Sequence, residues 1–360
     1  MEMGLLGLPQ SGKSTIFRLL TGTDAATSRK RGEALRGVGV VSDPRVTELS
    51  GIFRPKKTTY ATLTFVDMPS LDLESDRKDR NKVLQHVQNS DALLLVVRAF
   101  EDAAVAWPGR YGDAASQLEA LTTELLVRDL EVAETRLTNL GEQARKRKPS
   151  PEEAAELSVL ELALAGLGEG RPVSHLQLTA EQLRQVGSCG FFTAKPTLVV
   201  VNVDEDQLRA GTYPGQSEVE AQCLAGRLGL VTLSGQIEAE IGSLPPDDRA
   251  VFMEDLGLTE PGIDRLARAA YGHLGLISFL TVGEDEVRAW TINQGTAARA
   301  AAGKIHTDLE RRFVRAEVVP YETFMTYRAL AEARAHGVIR SVGKEEIIRD
   351  GDIVTILAGA

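Results

Sequence analysis

Cysteine is nearly absent: two in 360 residues, Cys189 and Cys223. They are too few for a disulfide framework and lack metal-ligand spacing, so both read as small core residues of a reducing compartment. No stretch approaches eighteen consecutive apolar residues. The first residues also lack a basic stretch leading into an apolar signal segment, which points away from a membrane and towards the cytoplasm. An excess of positive charge is missing as well. With 41 Lys+Arg against 51 Asp+Glu the net charge is -10, which argues against a generic phosphate-backbone binder and leaves room only for a local basic patch. The five histidines, His86, His175, His273, His306 and His336, are scattered without metal spacing, and no Ser/His/Asp or Cys/His group is close enough in sequence to suggest nucleophilic catalysis. There is no internal repeat and no low-complexity tract.

What is present is an average globular composition, 43% hydrophobic and 26% charged, in a chain long enough for two or three domains. Short apolar runs recur at Met3 to Leu8, Leu63 to Val66, Leu93 to Val97 and Leu198 to Val201, with Leu230 to Leu233 as a weaker fifth. Each is apolar on both faces and separated from the next by helical segments, the pattern of a doubly wound α/β sheet whose ligands bind beyond the strand ends. From Ser116 to Val186 the rhythm stops. Leu118, Leu121, Leu125, Leu137, Leu140, Leu157, Leu160, Leu164 and Leu167 fall at helical spacing on either side of a basic, Pro-bearing turn at Ala144 to Pro151, which predicts an inserted helical hairpin with these leucines as its packing seam. After Tyr271 the chain reads as a small α+β domain: strands at Leu276 to Thr281, Val287 to Ile292, Phe313 to Pro320 and Ile353 to Leu357, and a helix from Tyr321 to His336. The expected domains are 1–115 with 190–275, 116–189, and 276–360.

Gly7-Leu8-Pro9-Gln10-Ser11-Gly12-Lys13-Ser14 matches G-x-x-x-x-G-K-[ST] between the first strand and a helix. The order has a physical reason. Glycines allow successive backbone N–H groups to turn around phosphate oxygens, the helix start adds its positive dipole end, the lysine reaches the outer phosphates and the hydroxyl ligates Mg²⁺. Gly7, Pro9, Gln10, Ser11, Gly12, Lys13, Ser14 and Thr15 are therefore the expected phosphate site, and Ser14 with Asp67, which ends the Leu63-Thr64-Phe65-Val66 run, the expected Mg²⁺ anchors.

The fourth run ends Val201-Asn202-Val203-Asp204-Glu205. It resembles the Asn-Lys-x-Asp of GTPases, with Val203 for the lysine and Glu205 for the aspartate, changes that should spoil a guanine fit. Asn-x-x-Glu, together with Val38-Gly39-Val40-Val41-Ser42-Asp43-Pro44-Arg45, Arg54-Pro55-Lys56-Lys57, Val96-Val97-Arg98-Ala99-Phe100-Glu101, Thr193-Ala194-Lys195-Pro196, Val287-Arg288-Ala289-Trp290-Thr291-Ile292 and Ala302-Gly303-Lys304-Ile305-His306-Thr307-Asp308, resembles the Obg-like ATPases of the YchF type over nearly the whole chain. That resemblance implies a Ras-like P-loop domain, an inserted helical hairpin and a C-terminal β-grasp (TGS) domain. It also implies ATP preferred over GTP with Mg²⁺, a base site at Asn202, Val203, Glu205 and Ser234, and a monomer associated with ribosome or RNA through its TGS and helical domains.

The chain departs from the family where the γ-phosphate is sensed. Asp67-Met68-Pro69-Ser70 stands for Asp-x-Ala-Gly, so a residue with a Cβ replaces the glycine and Pro69 stiffens the turn. The following run Asp72 to Arg80 reads as a solvated charged loop. Arg29-Lys30-Arg31-Gly32-Glu33-Ala34-Leu35-Arg36 replaces an aromatic, Pro-bearing segment. The histidine implied as the catalytic group falls at Trp107, whose indole cannot act as a base, so no catalytic residue is assigned. The expected function is an ATP-preferring regulatory switch with slow or absent hydrolysis. The alternatives are a non-hydrolysing nucleotide-binding scaffold and, less favoured, a GTPase or a small-molecule kinase. Arg311, Arg312 and Arg315 form the best local basic cluster.

Overall fold

Seven residues of β5 (Ala92–Arg98) and six of β6 (Thr197–Asn202) are buried without exception, which is why both strands are apolar between their ends, with Arg98, Thr197 and Asn202 as the buried polar exceptions. They sit in the middle of a sheet with β1 (Glu2–Gly7), β2 (Leu35–Val41), β4 (Ala61–Asp67) and β7 (Gly229–Leu233), in the order β2-β4-β1-β5-β6-β7. The pairs β1–β4, β1–β5, β5–β6 and β6–β7 are all parallel. Strand β1 lies between β4 and β5, so the order reverses there and opens a crevice at its C-terminal end. The computed structural model describes residues 1–23 and 34–359; the basic residues Arg29, Lys30 and Arg31, with Gly32 and Glu33, lie outside them.

The chain divides into two compact units, Met1–Gly37 with Thr64–Arg265, and Val38–Leu63 with Leu266–Ala360. Within the first, a helix of 33 residues, Ala114–Lys146, is followed by Pro151–Gly168. The second helix starts where it does because Ser150 caps it with a complete capping box and Pro151 takes the first helical position, where a missing N–H costs nothing. The leucines expected to form one seam divide between two cores. Leu118, Leu121 and Leu125 pack on the sheet with Leu93, Leu95, Val97, Val199 and Val201. Only the later turns form the hairpin seam, where Ala133 and Leu140 meet Val159, Leu160, Ala163 and Leu167.

Two buried polar side chains fix this long helix. Gln117 accepts from Arg98 N (2.9 Å) and donates to Arg98 O (3.1 Å), pairing both main-chain groups at the end of β5. Asp129 accepts from Phe192 N (2.8 Å), Thr193 N (2.7 Å) and Thr193 Oγ1 (2.7 Å), which anchors the turn leading into β6.

The second unit holds a mixed sheet of β3 (Lys57–Thr59), β8 (Leu276–Thr281), β9 (Glu286–Asn293), β10 (Phe313–Pro320), β11 (Arg340–Val342) and β12 (Asp352–Ala358), ordered β11-β10-β12-β8-β9-β3. The pairs β8–β9 and β10–β12 are antiparallel and β12–β8 is parallel. Phe279, Ile292, Ala298, Ala301, Val318 and Val354 form its core, giving the β-grasp-like architecture expected of the C-terminal region. The helix expected from Tyr321 to His336 is instead two, Tyr321–Tyr327 and Leu330–Ala335. Arg328 stands between them with φ 54°, a left-handed conformation that ends a helix. Arg45 is held by Asp43 (2.9 Å) and Asp350 (2.8 Å), so the Asp43-Pro44-Arg45 stretch serves as a fastening inside this unit.

Candidate functional site

The loop from Gly7 to the helix Lys13–Thr21 uses left-handed backbone at Gln10 (φ 64°) and Gly12 (φ 87°). Alternation of this kind turns N–H groups to one side and makes a concave anion cradle. Gly12 is the helix N-cap and has no side chain to accept the first-turn N–H groups. A Cβ there would collide with the amide of Asn202, and one on Gly7 would stand 2.8 Å from Val96 O. Close approach thus requires glycine at both positions, and at Gly12 the left-handed conformation requires it as well.

Under the cradle, the Lys13 ammonium donates to the Asp67 carboxylate and to the Met68 carbonyl. Lys13 is 3% exposed and Asp67 fully buried. The Ser14 hydroxyl lies 3.3 Å from Asp67 Oδ2. The strand end and the helix start therefore bring one cation, one hydroxyl and one carboxylate to a single point. The hydroxyl and the carboxylate are oxygen ligands of the kind Mg²⁺ takes alongside phosphate oxygens, and the ammonium is a counter-charge for the phosphates themselves. Among the described residues there is no cluster of three or more His, Cys, Asp or Glu that could hold a metal without such a ligand.

The expected base residues gather on the other side of the loop. Asn202 donates to Ser11 O (3.1 Å) and accepts from Gly235 N (2.9 Å), so its amide ties the phosphate loop to the turn after β7. Ser234 is 1% exposed and its hydroxyl caps the next helix by accepting from Ile237 N (3.4 Å). The Val203 side chain belongs to the sheet core. Glu205 opens the helix Glu205–Ala210 and pairs with Arg209 (3.0 Å), leaving its carboxylate half-exposed. Of the four, Glu205 alone presents an accessible charged side chain.

Trp107 is not an isolated indole. It covers the Arg98 guanidinium at 4.2 Å, with the Phe100 ring at 4.4 Å from the same group. Arg98 is completely buried and donates to Phe100 O, Val105 O and Ala106 O at 3.0 to 3.1 Å. Sequence reasoning missed Arg98 and Phe100 as site residues; a lone arginine closing an otherwise apolar strand was the available signal.

After Asp67, Met68 and Leu71 are fully buried, and Leu71 N donates to Gly7 O (2.9 Å), pinning the segment to the end of β1. Ser70 is exposed. The charged run that follows is not merely solvated. Arg80 donates to Glu124 (2.8 Å) and to Ser75 O (2.6 Å), and Arg77 pairs with Glu131, so the helix Arg77–Val87 is fastened to the long helix by two ion pairs. The two acids, Glu124 and Glu131, stand seven residues apart and so share one face of Ala114–Lys146.

A parallel sheet whose first strand runs through a glycine-bounded loop into a lysine–serine helix start, with an acid from the neighbouring strand beneath it, defines a P-loop nucleotide-binding protein of the GTPase fold. The comparisons agree. Residues 2–131 match the MMR_HSR1 model, described as a 50S ribosome-binding GTPase, and residues 276–358 match YchF-GTPase_C, described as a protein of unknown function. The chain is 36% identical over 361 residues to the ribosome-binding ATPase YchF of Escherichia coli O157:H7, covering 99% of this chain and 98% of that protein. It is 32% identical to the ribosome-binding ATPase YchF of Bacillus subtilis, with 98% of each covered. The solved structure of the Schizosaccharomyces pombe YchF GTPase superposes with a TM-score of 0.84 at 27% identity, covering 99% of this chain and 97% of that one. The chain belongs to the YchF family.

Proposed function

We propose that this protein binds ATP in preference to GTP, together with Mg²⁺, and works as a cytoplasmic, monomeric, ribosome-associated switch whose hydrolysis is slow or absent. The observation that carries the nucleotide reading is the convergence of Lys13, Ser14 and Asp67 under a loop that only glycine permits. In this reading Gly7, Gln10, Ser11, Gly12, Lys13, Ser14 and Thr15 present main-chain donors to the phosphates, while Pro9 shapes the loop without an N–H. Lys13 exchanges the Asp67 carboxylate for phosphate oxygens. Ser14 and Asp67 would hold Mg²⁺, which supplies charge neutralisation between those oxygens.

The base preference is assigned to the segment Asn202 to Glu205 with Ser234. Asn202 and Ser234 spend their side chains on the protein, so they shape the pocket and offer main-chain groups. Glu205 is the acceptor left for an exocyclic amine, and adenine has no N1–H for a shorter, fixed aspartate to read. Support for the ribosome comes from the relatives named ribosome-binding ATPases. The TGS-like region 276–360 and the helical insertion 116–189 are the proposed contact surfaces, set against a nucleotide domain of 1–115 with 190–275. No helix of the described residues is long and apolar enough to cross a membrane.

Slow hydrolysis is supported by the indole at position 107 and by the stiff, pinned Met68 to Leu71 segment, since catalysis needs an oriented water and a backbone donor free to close on the γ-phosphate. The same two features favour a second reading, a nucleotide-binding scaffold that does not hydrolyse at all. Calorimetric titration with ATP and GTP, followed by phosphate release on the same sample, tests both. ATP should bind more tightly than GTP. Equal or tighter GTP binding overturns the preference, and rapid phosphate release overturns the slow switch.

A further inference from the structure

We propose that Trp107 is a positioning residue for the nucleotide base, acting through Arg98 and Phe100; this rests on the nucleotide-binding reading above. Arg98 is a completely buried cation with two rings against it, Phe100 at 4.4 Å and Trp107 at 4.2 Å. Its donors go to the carbonyls of Phe100, Val105 and Ala106, so residues 98 to 107 close around the guanidinium. Contacts of this kind fix the plane of each ring, because a planar cation over a π face is favoured most strongly when water is excluded.

Of the two rings, Phe100 lies beside the glycine-bounded loop. Phe100 Cε1 is 3.9 Å from the point a Cβ on Gly12 would occupy. The main-chain N–H groups of Ala99 and Phe100 donate to Asn202 O at 2.9 and 3.0 Å. Phe100 is therefore held at the junction of the phosphate loop and the strand end assigned to the base. Trp107 is partly buried, and residues 101 to 104, which lead from Phe100 towards it, are exposed. Remove it and water reaches one face of the guanidinium, the cation hydrates, and Phe100 loses the partner that sets its orientation. Position 107 then contributes to affinity for the base and leaves the phosphate contacts untouched.

The experiment uses the full chain and three variants, Trp107→Phe, Trp107→Leu and Trp107→Ala, each checked for an unchanged melting temperature. Binding is measured by calorimetry with ATP and with inorganic tripolyphosphate, a probe without a base. Trp107→Phe should bind ATP within about twofold of the parent. Trp107→Leu, which keeps apolar bulk and loses the π face, should weaken ATP about fivefold to thirtyfold, the range that a desolvated cation–aromatic contact spans. Tripolyphosphate affinity should be the same in all. A Leu variant that binds ATP as tightly as the parent overturns the proposal, as does an equal loss for ATP and tripolyphosphate. Where tripolyphosphate binds too weakly to measure, the contrast between Phe and Leu decides. A second readout comes from Trp290→Phe, which leaves Trp107 as the single tryptophan of two: its fluorescence should shift when ATP is added, and an unresponsive signal counts against the coupling. Failure of the parent protein to bind ATP at all would remove the nucleotide reading itself, a distinguishable result.

Discussion

Replacing Asp129 tests how the long helix is fastened to the nucleotide sheet. The carboxylate receives Phe192 N, Thr193 N and Thr193 Oγ1 at 2.7 to 2.8 Å, and Thr193 Oγ1 in turn accepts from Val173 N at 3.0 Å. In Asp129→Ala two main-chain N–H groups lose their acceptor in a site closed to water. Each such orphan costs about 1–3 kcal/mol, so the variant should be less stable by about 2–6 kcal/mol, the Thr193 hydroxyl being free to rotate. Asp129→Asn keeps one oxygen for Phe192 N and turns an amide N–H towards Thr193 N, so about 1–3 kcal/mol is expected.

The Asn variant also isolates a pH effect. Burial pushes the Asp129 carboxyl from its ordinary 3.8 up to about 6, outweighing the three hydrogen bonds and the nearby Lys195 charge that favour ionisation. A folded pKa above the unfolded one means the folded state holds the proton more tightly. This stabilising contribution is complete below about pH 4 and fades as pH rises through 6. Across that window the parent should lose up to about 3 kcal/mol relative to Asp129→Asn, at 1.36 kcal/mol per pKa unit. Every other titrating group is common to both proteins and cancels. Urea unfolding of the pair between pH 4 and 7 gives the difference. Amide exchange at Phe192 and Thr193 gives a local reading that does not depend on two-state unfolding. A gap that stays constant with pH, or an Ala variant within 0.5 kcal/mol of the parent by order of magnitude, refutes the reasoning.

Lys13→Ala should weaken ATP at least about tenfold in calorimetry, because charge-assisted bonds to phosphate are worth about 1.5–3 kcal/mol. Gly12→Ala should abolish nucleotide binding and lower the melting temperature, since its Cβ would collide with the Asn202 amide that bridges Ser11 and Gly235. Arg80→Ala removes the bonds to Glu124 and Ser75 O, so amide exchange across residues 72–80 should quicken, and because the pair is mostly buried the loss of global stability in urea unfolding should be about 1–3 kcal/mol. Arg328→Gly, at φ 54°, should raise stability by up to about 1 kcal/mol in thermal melts by relieving a left-handed conformation that glycine adopts freely.

The middle of the sheet was legible because β1, β5 and β6 are buried almost throughout and carry long apolar runs, whereas β2, where buried and exposed residues alternate at the sheet edge, gave no such run. Elements whose formation depends on a neighbour were not legible. Strand β3 is three polar-to-intermediate residues, Lys57–Thr59, that exist as a strand because β9 offers them a parallel edge. The division of the leucines between sheet and hairpin was hidden for a related reason: helical periodicity marks which face is buried and carries no information on what covers it, so Leu125 and Leu140 look alike. In the site, the loop, Lys13, Ser14 and Asp67 follow from a motif whose spacing is itself the geometry. Gln117, Asp129 and Arg98 do not, since a buried polar residue is recognisable only once its main-chain partners, distant in sequence, are in place.

Position 107 joins these two kinds of information. From the sequence alone an indole there reads as a loss, an aromatic ring without a base where the resemblance implies a histidine. The structure supplies what the ring does instead, covering Arg98 together with Phe100. Restoring an imidazole is therefore not a simple gain. Trp107→His with Ser70→Gly would return a group able to orient water and a flexible donor near the γ-phosphate. The same change exchanges one of the two rings against Arg98 for a smaller ring that is cationic when protonated, and two cations in contact repel. Turnover should rise while ATP affinity falls, and the fall should be steeper below pH 6, where more of the imidazole is charged. A double variant with higher turnover and unchanged affinity at both pH 5.5 and pH 8, roughly 1 unit below and about 1.5 units above the ordinary imidazole pKa, would mean that the contacts at Arg98 play no part in holding the nucleotide.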